Sequence, residues 1–285
     1  ILGFDALYRV IQTAVVFFGG AGALSLTTGL VGNAFQTLIM VVFATGLYGW
    51  LFSGRKANLY LLLLVGVVMG MGLMIIAIAF KLSLAPFHAW TPDVYQGAPA
   101  PVATFLATVS KVAMLIVAVR FLLVSASLAM EGVTTVLTII AVLSILVGNL
   151  LAVRQVNLKR LLGYSSIAHF GYILIAIICL GASSVATVSI YLVTYVLTTI
   201  GAFGAVALMS SPYSTHDAES IADYRGLFWR RPVLTAVLTV MMLSLAGIPL
   251  TAGHIGKYFV VMKAVEDMKW YVADMVLLGS AIGLY

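Results

Sequence analysis

The chain consists of long apolar stretches, each about as long as a bilayer is thick, separated by short segments rich in charges, Gly, Ser or Pro. Charged residues make up 8% of the 285 residues and hydrophobic residues 63%, whereas a soluble domain carries about 25% charged and 45–50% apolar residues. So few charges cannot build a water-soluble surface. Because a membrane-spanning helix needs about 20 apolar residues, the sequence predicts a polytopic membrane protein.

The apolar stretches predict about nine membrane spans. Inside a bilayer the backbone must satisfy its own hydrogen bonds, and stretches of this length without period-2 alternation favour helices over a β-barrel. The predicted fold is therefore an all-α membrane helix bundle. The spans are expected near residues 10–30, 33–52, 58–80, 101–123, 133–153, 158–180, 185–210, 232–262 and 270–285.

Composition excludes several classes of function. Cys179 is the only cysteine, so the chain cannot form an intrachain disulfide, a four-cysteine zinc site or an iron–sulfur cluster by itself. The net charge of +6 is scattered among apolar stretches, which argues against a nucleic-acid partner. The sequence has no metal-ligand spacing, nucleophile elbow or Gly-rich phosphate loop. We therefore expect no cofactor, metal or bond-breaking chemistry in this chain.

Lys111 lies near the middle of a predicted span, ten residues after Pro101. A charged lysine at that depth costs roughly 2.5 to 3.5 kcal/mol on insertion scales. Lys111 is too central for its amine to reach the headgroups easily, so a compensating partner inside the bundle is expected.

Lys81 and Lys257 each lie beside an interruption of a predicted span. Pro86 follows Lys81 by five residues, and the segment 246–249, which ends at Pro249, precedes Lys257. Proline removes an amide donor and breaks or kinks a helix. Broken backbone at membrane depth survives only when it is buried in protein or lines a hydrated cavity. Two such breaks predict a wet path through the bundle, with half-helix ends that supply partial charge.

Simpler interpretations remain open for these residues. Lys81 and Lys257 could extend their amines to the headgroups from helix ends. Histidine titrates near neutrality and could connect two lysines through water, although a single helix histidine can equally be a satisfied hydrogen-bonding residue. Hydroxyls could hold such water or bond their own backbone. The residues in question are His88, His169, His254, Tyr164, Ser165 and Ser166.

The remaining polar residues are expected at the ends of the spans. None of the nine acidic residues lies deep in a predicted span, and the lysines and arginines divide evenly between the two sides, so the positive-inside rule does not fix the orientation. Residues 211–231 are interpreted as a solvated connection, or alternatively as a partner-docking site. The chain begins at Ile1 and stops within an apolar stretch, so we expect it to be incomplete at both ends.

Three stretches of the sequence resemble the proton-conducting antiporter-like subunits of respiratory complex I. They extend over residues 80–114, 157–172 and 224–257, and they read FKLSLAPFHAWTPDVYQGAPAPVATFLATVSKVAM, NLKRLLGYSSIAHFGY and YRGLFWRRPVLTAVLTVMMLSLAGIPLTAGHIGK. The resemblance covers about residues 59 to 285, and motifs of this length are highly specific.

The resemblance implies two inverted helix repeats, each with a broken helix. It places Lys81 and Lys257 at the two broken helices and Lys111 at the centre of the next helix, as parts of a proton path along mid-membrane. The polar connections that hold Asp93, Lys159 and Arg225 would face the cytoplasm. NADH, flavin, iron–sulfur clusters and quinone would belong to partner subunits in a bacterial inner membrane.

The first 57 residues depart from this resemblance. The family places a glutamate and a partner lysine in the two helices before the first broken one, and residues 1–57 contain no glutamate. We therefore divide the chain into two N-terminal helices in residues 1–57 and an antiporter-like domain in residues 58–285. The expected function is proton translocation driven by quinone reduction in other subunits. A multisubunit sodium/proton antiporter and a structural scaffold are the alternatives.

Overall fold

The computed structural model describes residues 56–124, 128, 131–180, 184–210, 217–266 and 270–284. Within these ranges every regular element is a helix and no strand occurs. The predicted all-α class is confirmed. The two spans expected at 10–30 and 33–52 lie outside the described residues.

Eleven α-helices, one π-helix and one longer 3-10 helix account for the regular structure of these ranges. They are α1 Lys56–Leu82, α2 Trp90–Gly97, α3 Ala100–Phe105, the π-helix Leu106–Ser110, α4 Lys111–Val124, α5 Glu131–Ala152, α6 Leu158–Leu180, α7 Ser184–Met209, the 3-10 helix Ile221–Tyr224, α8 Leu227–Arg230, α9 Pro232–Ala246, α10 Ala252–Glu266 and α11 Trp270–Leu284.

Five helical stretches in the described part of the chain are long and apolar enough to cross a membrane. They are Val65–Leu82, Ala100–Leu123, Glu131–Ala152, Leu158–Cys179 and Val185–Met209. Each agrees with a predicted span to within a few residues, and α1, which contains the first stretch, extends over Lys56–Leu82 where residues 58–80 were predicted. The span expected at 232–262 consists of two short helices, α9 and α10, which are separated at the predicted interruption by residues 247–251.

The described residues belong to two compact units, residues 1–77 and residues 78–285. The first unit contributes the greater part of α1. The second contains the end of α1 and all later helices, and it holds every candidate site residue identified above.

Helix α6 is the central helix of the second unit. Of its apolar stretch Leu158–Cys179, 83% is buried, and α2, α5, α7 and α10 pack against it. Glycines permit the close approach of α5 and α6: a Cβ on Gly148 would lie 2.6 Å from the amide nitrogen of Ala168, and one on Gly171 would lie 2.9 Å from the carbonyl oxygen of Ala141. The contact between the two helices is therefore made partly by backbone.

The polar connection before α9 is fixed to the bundle by a buried lysine. Lys159 is 3% exposed, and its Nζ lies 2.9 Å from Asp217 Oδ2 and 3.8 Å from Glu219 Oε2. The Ala100 amide also donates to Asp217, at 2.8 Å. Burial alone would raise the pKa of Asp217, but the hydrogen bond and charge of Lys159 outweigh it and hold the pKa below its usual value. Residues 217–231 are mostly exposed, as expected for a solvated connection, yet this ionised contact anchors them.

The glycine contact between α5 and α6 predicts a large effect of side-chain volume at position 148. Gly148→Leu should lower the free energy of unfolding by about 1 to 3 kcal/mol, because overpacking forces the two helix backbones apart. Gly132→Leu in the same helix is the control, since its Cβ would meet nothing within 4 Å. Thermal unfolding of the purified full-length protein measures both, and equal melting temperatures for the two variants would contradict the packing described.

Candidate functional site

The first helix break lies directly after Lys81. Helix α1 ends at Leu82 and α2 begins at Trp90. Ser83 adopts a left-handed conformation with φ of 63°, and the amides of Ser83 and Leu84 donate to carbonyls in the last turn of α1 at 3.1 and 2.8 Å. This pair of bonds is the Schellman motif that terminates many helices. The predicted interruption at Pro86 is confirmed, since that proline lies within the irregular segment.

The helix before the second break ends in the same way as the helix before the first. Helix α9 ends at Ala246 and α10 begins at Ala252, with Pro249 between them. Gly247 has φ of 87°, and the amides of Gly247 and Ile248 donate to carbonyls of α9 at 3.0 and 3.2 Å. Both predicted broken helices therefore exist, and each ends its first half in a left-handed residue.

Lys111 is buried inside the bundle and is only 1% exposed. Its Nζ donates to Ser166 Oγ at 2.8 Å, and it lies 4.9 Å from the ring centroid of Phe170 and 5.7 Å from that of Tyr95. Ser166 Oγ in turn lies 2.8 Å from the hydroxyl of Tyr195. The expected compensation of the Lys111 charge thus consists of one hydroxyl network and two aromatic faces.

Lys257 is buried against the end of α9. It is 6% exposed, so its amine does not extend to the headgroups. Its Nζ donates to the carbonyls of Ala246 at 2.8 Å and Leu245 at 3.3 Å, and it lies 5.0 Å from the ring centroid of Tyr172. The carboxyl end of a helix carries partial negative charge, so the predicted role of a half-helix end is present here.

His169 lies between the surroundings of the two lysines. Its Nδ1 is 2.8 Å from the hydroxyl of Tyr191. The ring centroid lies 5.4 Å from that of Tyr195, which belongs to the Lys111 network, and 6.1 Å from that of Tyr172, which covers Lys257. The Leu245 carbonyl that accepts from Lys257 also interacts with His169. The structure therefore brings Lys111, His169 and Lys257 into one cluster.

The other predicted residues stay outside this cluster. Lys81 is half-buried in the last turn of α1, and no hydrogen bond or ion pair within the described part of the chain joins it to Lys111 or Lys257. His88 lies half-buried in the first break. His254 Nδ1 lies 3.2 Å from the Gly247 carbonyl, at the second break. Tyr164 is half-buried, and Ser166, two residues later, makes the contact with lysine.

Sequence reasoning missed the tyrosines that surround the buried amines. Tyr95, Tyr172, Tyr191 and Tyr195 are between 0% and 3% exposed. The sequence does contain a pattern that indicates two of them: Tyr191 and Tyr195 are four residues apart on one face of an apolar helix. A buried tyrosine hydroxyl usually requires a hydrogen-bond partner, so this pair predicts a polar neighbour inside the bundle.

No carboxylate oxygen of the described residues lies within 4 Å of the Nζ of Lys111 or of Lys257. The ion pairs between described residues are made by three other basic residues, Lys159, Arg160 and Lys263. Among the same residues no group of three His, Cys, Asp or Glu side chains is arranged to hold a metal ion. The amine of Lys111 contacts one hydroxyl and two rings, and the amine of Lys257 contacts two carbonyls and one ring.

A family described as NADH:quinone oxidoreductase/Mrp antiporter, transmembrane, matches residues 14–283 of the chain. Among curated proteins, NADH-quinone oxidoreductase subunit N of Acinetobacter baumannii is 71% identical over 220 residues, which are 77% of this chain and 44% of that protein. The chain therefore spans less than half the length of this relative.

Chains in two solved structures have a similar fold. A chain of respiratory complex I from Thermus thermophilus with bound aureothin is similar with a TM-score of 0.67 and 35% identity, covering 90% of this chain and 56% of that one. A chain of the Mrp complex from Dietzia sp. DQ12-45-1b gives a TM-score of 0.71 at 18% identity, covering 89% and 47%. The second similarity concerns the fold alone.

The contact between Gly247 and Lys257 predicts that alanine at position 247 lowers the stability of the protein by more than the cost of its left-handed backbone conformation. A Cβ on Gly247 would lie 2.9 Å from Cδ and 3.0 Å from Nζ of Lys257, whereas Gly226, also at positive φ, has nothing within 4 Å. Alanine at either position should cost about 1 to 2 kcal/mol for the left-handed conformation, and Gly247→Ala should cost about 1 to 3 kcal/mol more through overpacking. Thermal unfolding of both variants in the full-length protein measures the difference, and equal losses would contradict the contact.

Proposed function

Because the chain belongs to the NADH:quinone oxidoreductase/Mrp antiporter family of membrane subunits, we propose that it is part of a proton-translocating subunit of an NADH:quinone oxidoreductase. Protons would move through the buried lysines, and quinone reduction in other subunits would drive them. The 71% identity to a subunit N supports this assignment.

The observation that carries the proposal is the cluster of Lys111, His169 and Lys257 inside an apolar bundle. Ionisable residues inside a membrane domain are costly and mark ion or proton paths. A scaffold would need neither amine, because leucine or methionine would fill the same space without a desolvation cost. No carboxylate of the described ranges fixes either amine in its charged state, so each can exchange a proton.

The groups between the two amines can pass a proton by changing hydrogen-bond partners. The hydroxyls of Ser166, Tyr191 and Tyr195 can each donate and accept. The imidazole of His169 can accept on one nitrogen while it donates from the other. Since two positive charges repel each other strongly in a low-dielectric interior, arrival of a proton at one amine would favour its departure from the other.

The two breaks would admit water to the ends of this path. Lys81, Pro86 and His88 lie at or in the first irregular segment, and Pro249 and His254 lie at the second. Irregular backbone at membrane depth is tolerated where it lines a hydrated cavity. We therefore assign Lys81 an outer position in the proton path, with water joining it to Lys111.

The partners follow from this assignment. Other membrane subunits of the complex would adjoin the chain in a bacterial inner membrane, and NADH, flavin, iron–sulfur clusters and quinone would belong to partner subunits. Cys179 is buried, and the proton path requires no redox group in this chain.

Replacement of Lys111 tests the proposal. Lys111→Ala should abolish most proton pumping while the complex still assembles, because the path loses its central amine. Lys111→Met preserves side-chain volume and should act in the same way, and Lys263→Met, at an exposed ion pair with Glu266, is the control. Proton-to-electron stoichiometry in membrane vesicles is the measurement. Unchanged stoichiometry in both Lys111 variants, or full pumping after Lys81, Lys111 and Lys257 are all replaced by methionine, would support a scaffold instead.

A second candidate is a subunit of a multisubunit sodium/proton antiporter, which the family description and the fold of the Dietzia chain both allow. Such a protein exchanges ions without a quinone partner. Affinity purification of the full-length protein in mild detergent should therefore recover flavin-bearing subunits under the leading proposal. Sodium-dependent proton exchange in a preparation that lacks them would favour the antiporter.

A further inference from the structure

We propose that a groove between α7 and α9 binds one acyl chain of an anionic phospholipid, whose phosphate contacts Arg231 and its neighbouring arginines. The groove has a volume of about 550 Å³, within the usual range of small-molecule sites. The proposal concerns a part of the bundle that the proton path does not use.

The walls of the groove are apolar and provide space for a narrow chain. Gly204 and Ala205 form its floor on α7, and Val233 and Val237 line it on α9. A Cβ on Gly204 would meet nothing within 4 Å. Close packing within the bundle therefore does not require a glycine at this position, and the space above it belongs to the groove. From Gly201 to Leu208 the α7 wall is about 10 Å long at 1.5 Å per residue.

Arg231 lines the groove where α9 begins. It directly precedes α9, and its Nη1 donates to the carbonyl of Leu208 at 2.7 Å. Leu208 is itself a wall residue, so that bond holds the guanidinium at the edge of the groove, and no other hydrogen bond from it to a described residue occurs. Guanidinium groups match phosphate oxygens in charge and geometry.

The charge around this end is positive and lacks a counter-ion. Arg225, Arg230 and Arg231 are exposed, and none has a carboxylate within 4 Å among the residues that the structure describes. The nearby carboxylates have other partners: Asp217 contacts Lys159, and Asp223 caps the short 3-10 helix. Arg230 donates to the carbonyls of Asp223 and Arg225, which do not neutralise its charge. Three arginines without a carboxylate partner at a span end favour an anionic headgroup.

Trp229 places the same end at the level of the headgroups. Its side chain is 86% exposed, and the neighbouring Phe228 is 58% exposed. Exposed aromatic residues beside basic residues at a span boundary are typical of the membrane–water interface. An apolar protein helix in the groove would fill the space but would not neutralise the arginines, so the combined features favour a lipid.

Photolabelling of the assembled complex tests the lipid site. The complex is reconstituted into phosphatidylcholine vesicles that contain phosphatidylglycerol with a diazirine on its acyl chain, and labelled residues are mapped by mass spectrometry. We expect adducts within residues 201–208 and 231–237, which line the groove, and labelling by diazirine-bearing phosphatidylcholine should be several-fold weaker.

Two variants and two controls define the result. Arg231→Gln should reduce the phosphatidylglycerol adducts roughly five-fold, as expected for one arginine at an anionic surface, and Gly204→Leu should abolish them by filling the groove. Arg154→Gln, at another exposed arginine, and Gly132→Leu, at another open glycine, should leave labelling unchanged.

Three outcomes would overturn the proposal. One is equal labelling by the two lipids, and another is labelling that is insensitive to both variants. The third is absence of adducts. If adducts are absent and Gly204→Leu also releases the subunit from the complex, a protein segment occupies the groove.

Discussion

The arrangement of the bundle depends on the burial of two amines, Lys111 and Lys257, away from any described carboxylate. An unpaired ammonium group inside a protein costs several kcal/mol, so the fold must surround each one with partial negative charge. It does so in two ways. Lys111 meets a hydroxyl and two aromatic faces, whereas Lys257 meets carbonyls at the end of α9.

The second arrangement explains why a broken helix is useful at this position. In a continuous helix the carbonyls of Leu245 and Ala246 would accept bonds from residues one turn later. The left-handed turn at Gly247 ends the helix and frees these carbonyls for Lys257. Glycine is required there for its conformation and because a Cβ would contact the lysine side chain. One residue therefore stops the helix and leaves room for the charge.

Helix α6 connects the two amines because it lies at the centre of the unit. It carries Ser166, which contacts Lys111, and His169, three residues later on the same face. Both side chains reach tyrosines of α7. Gly148 on α5 and Gly171 on α6 let these two helices approach closely. The precision of the polar cluster thus rests on close packing of the apolar helices around it.

The membrane class, most span positions and both breaks followed from the sequence, because run length and proline act locally along a chain. Residue order alone could not show that Tyr95, Tyr172, Tyr191 and Tyr195 surround the amines. Those side chains come from three different helices, and only packing decides which faces meet. The same holds for His169, which sequence offered as one of three equivalent histidines and tertiary structure placed between the lysines. Local chemistry determines where a helix begins and ends, but the neighbours of a buried charge depend on contacts between distant parts of the chain.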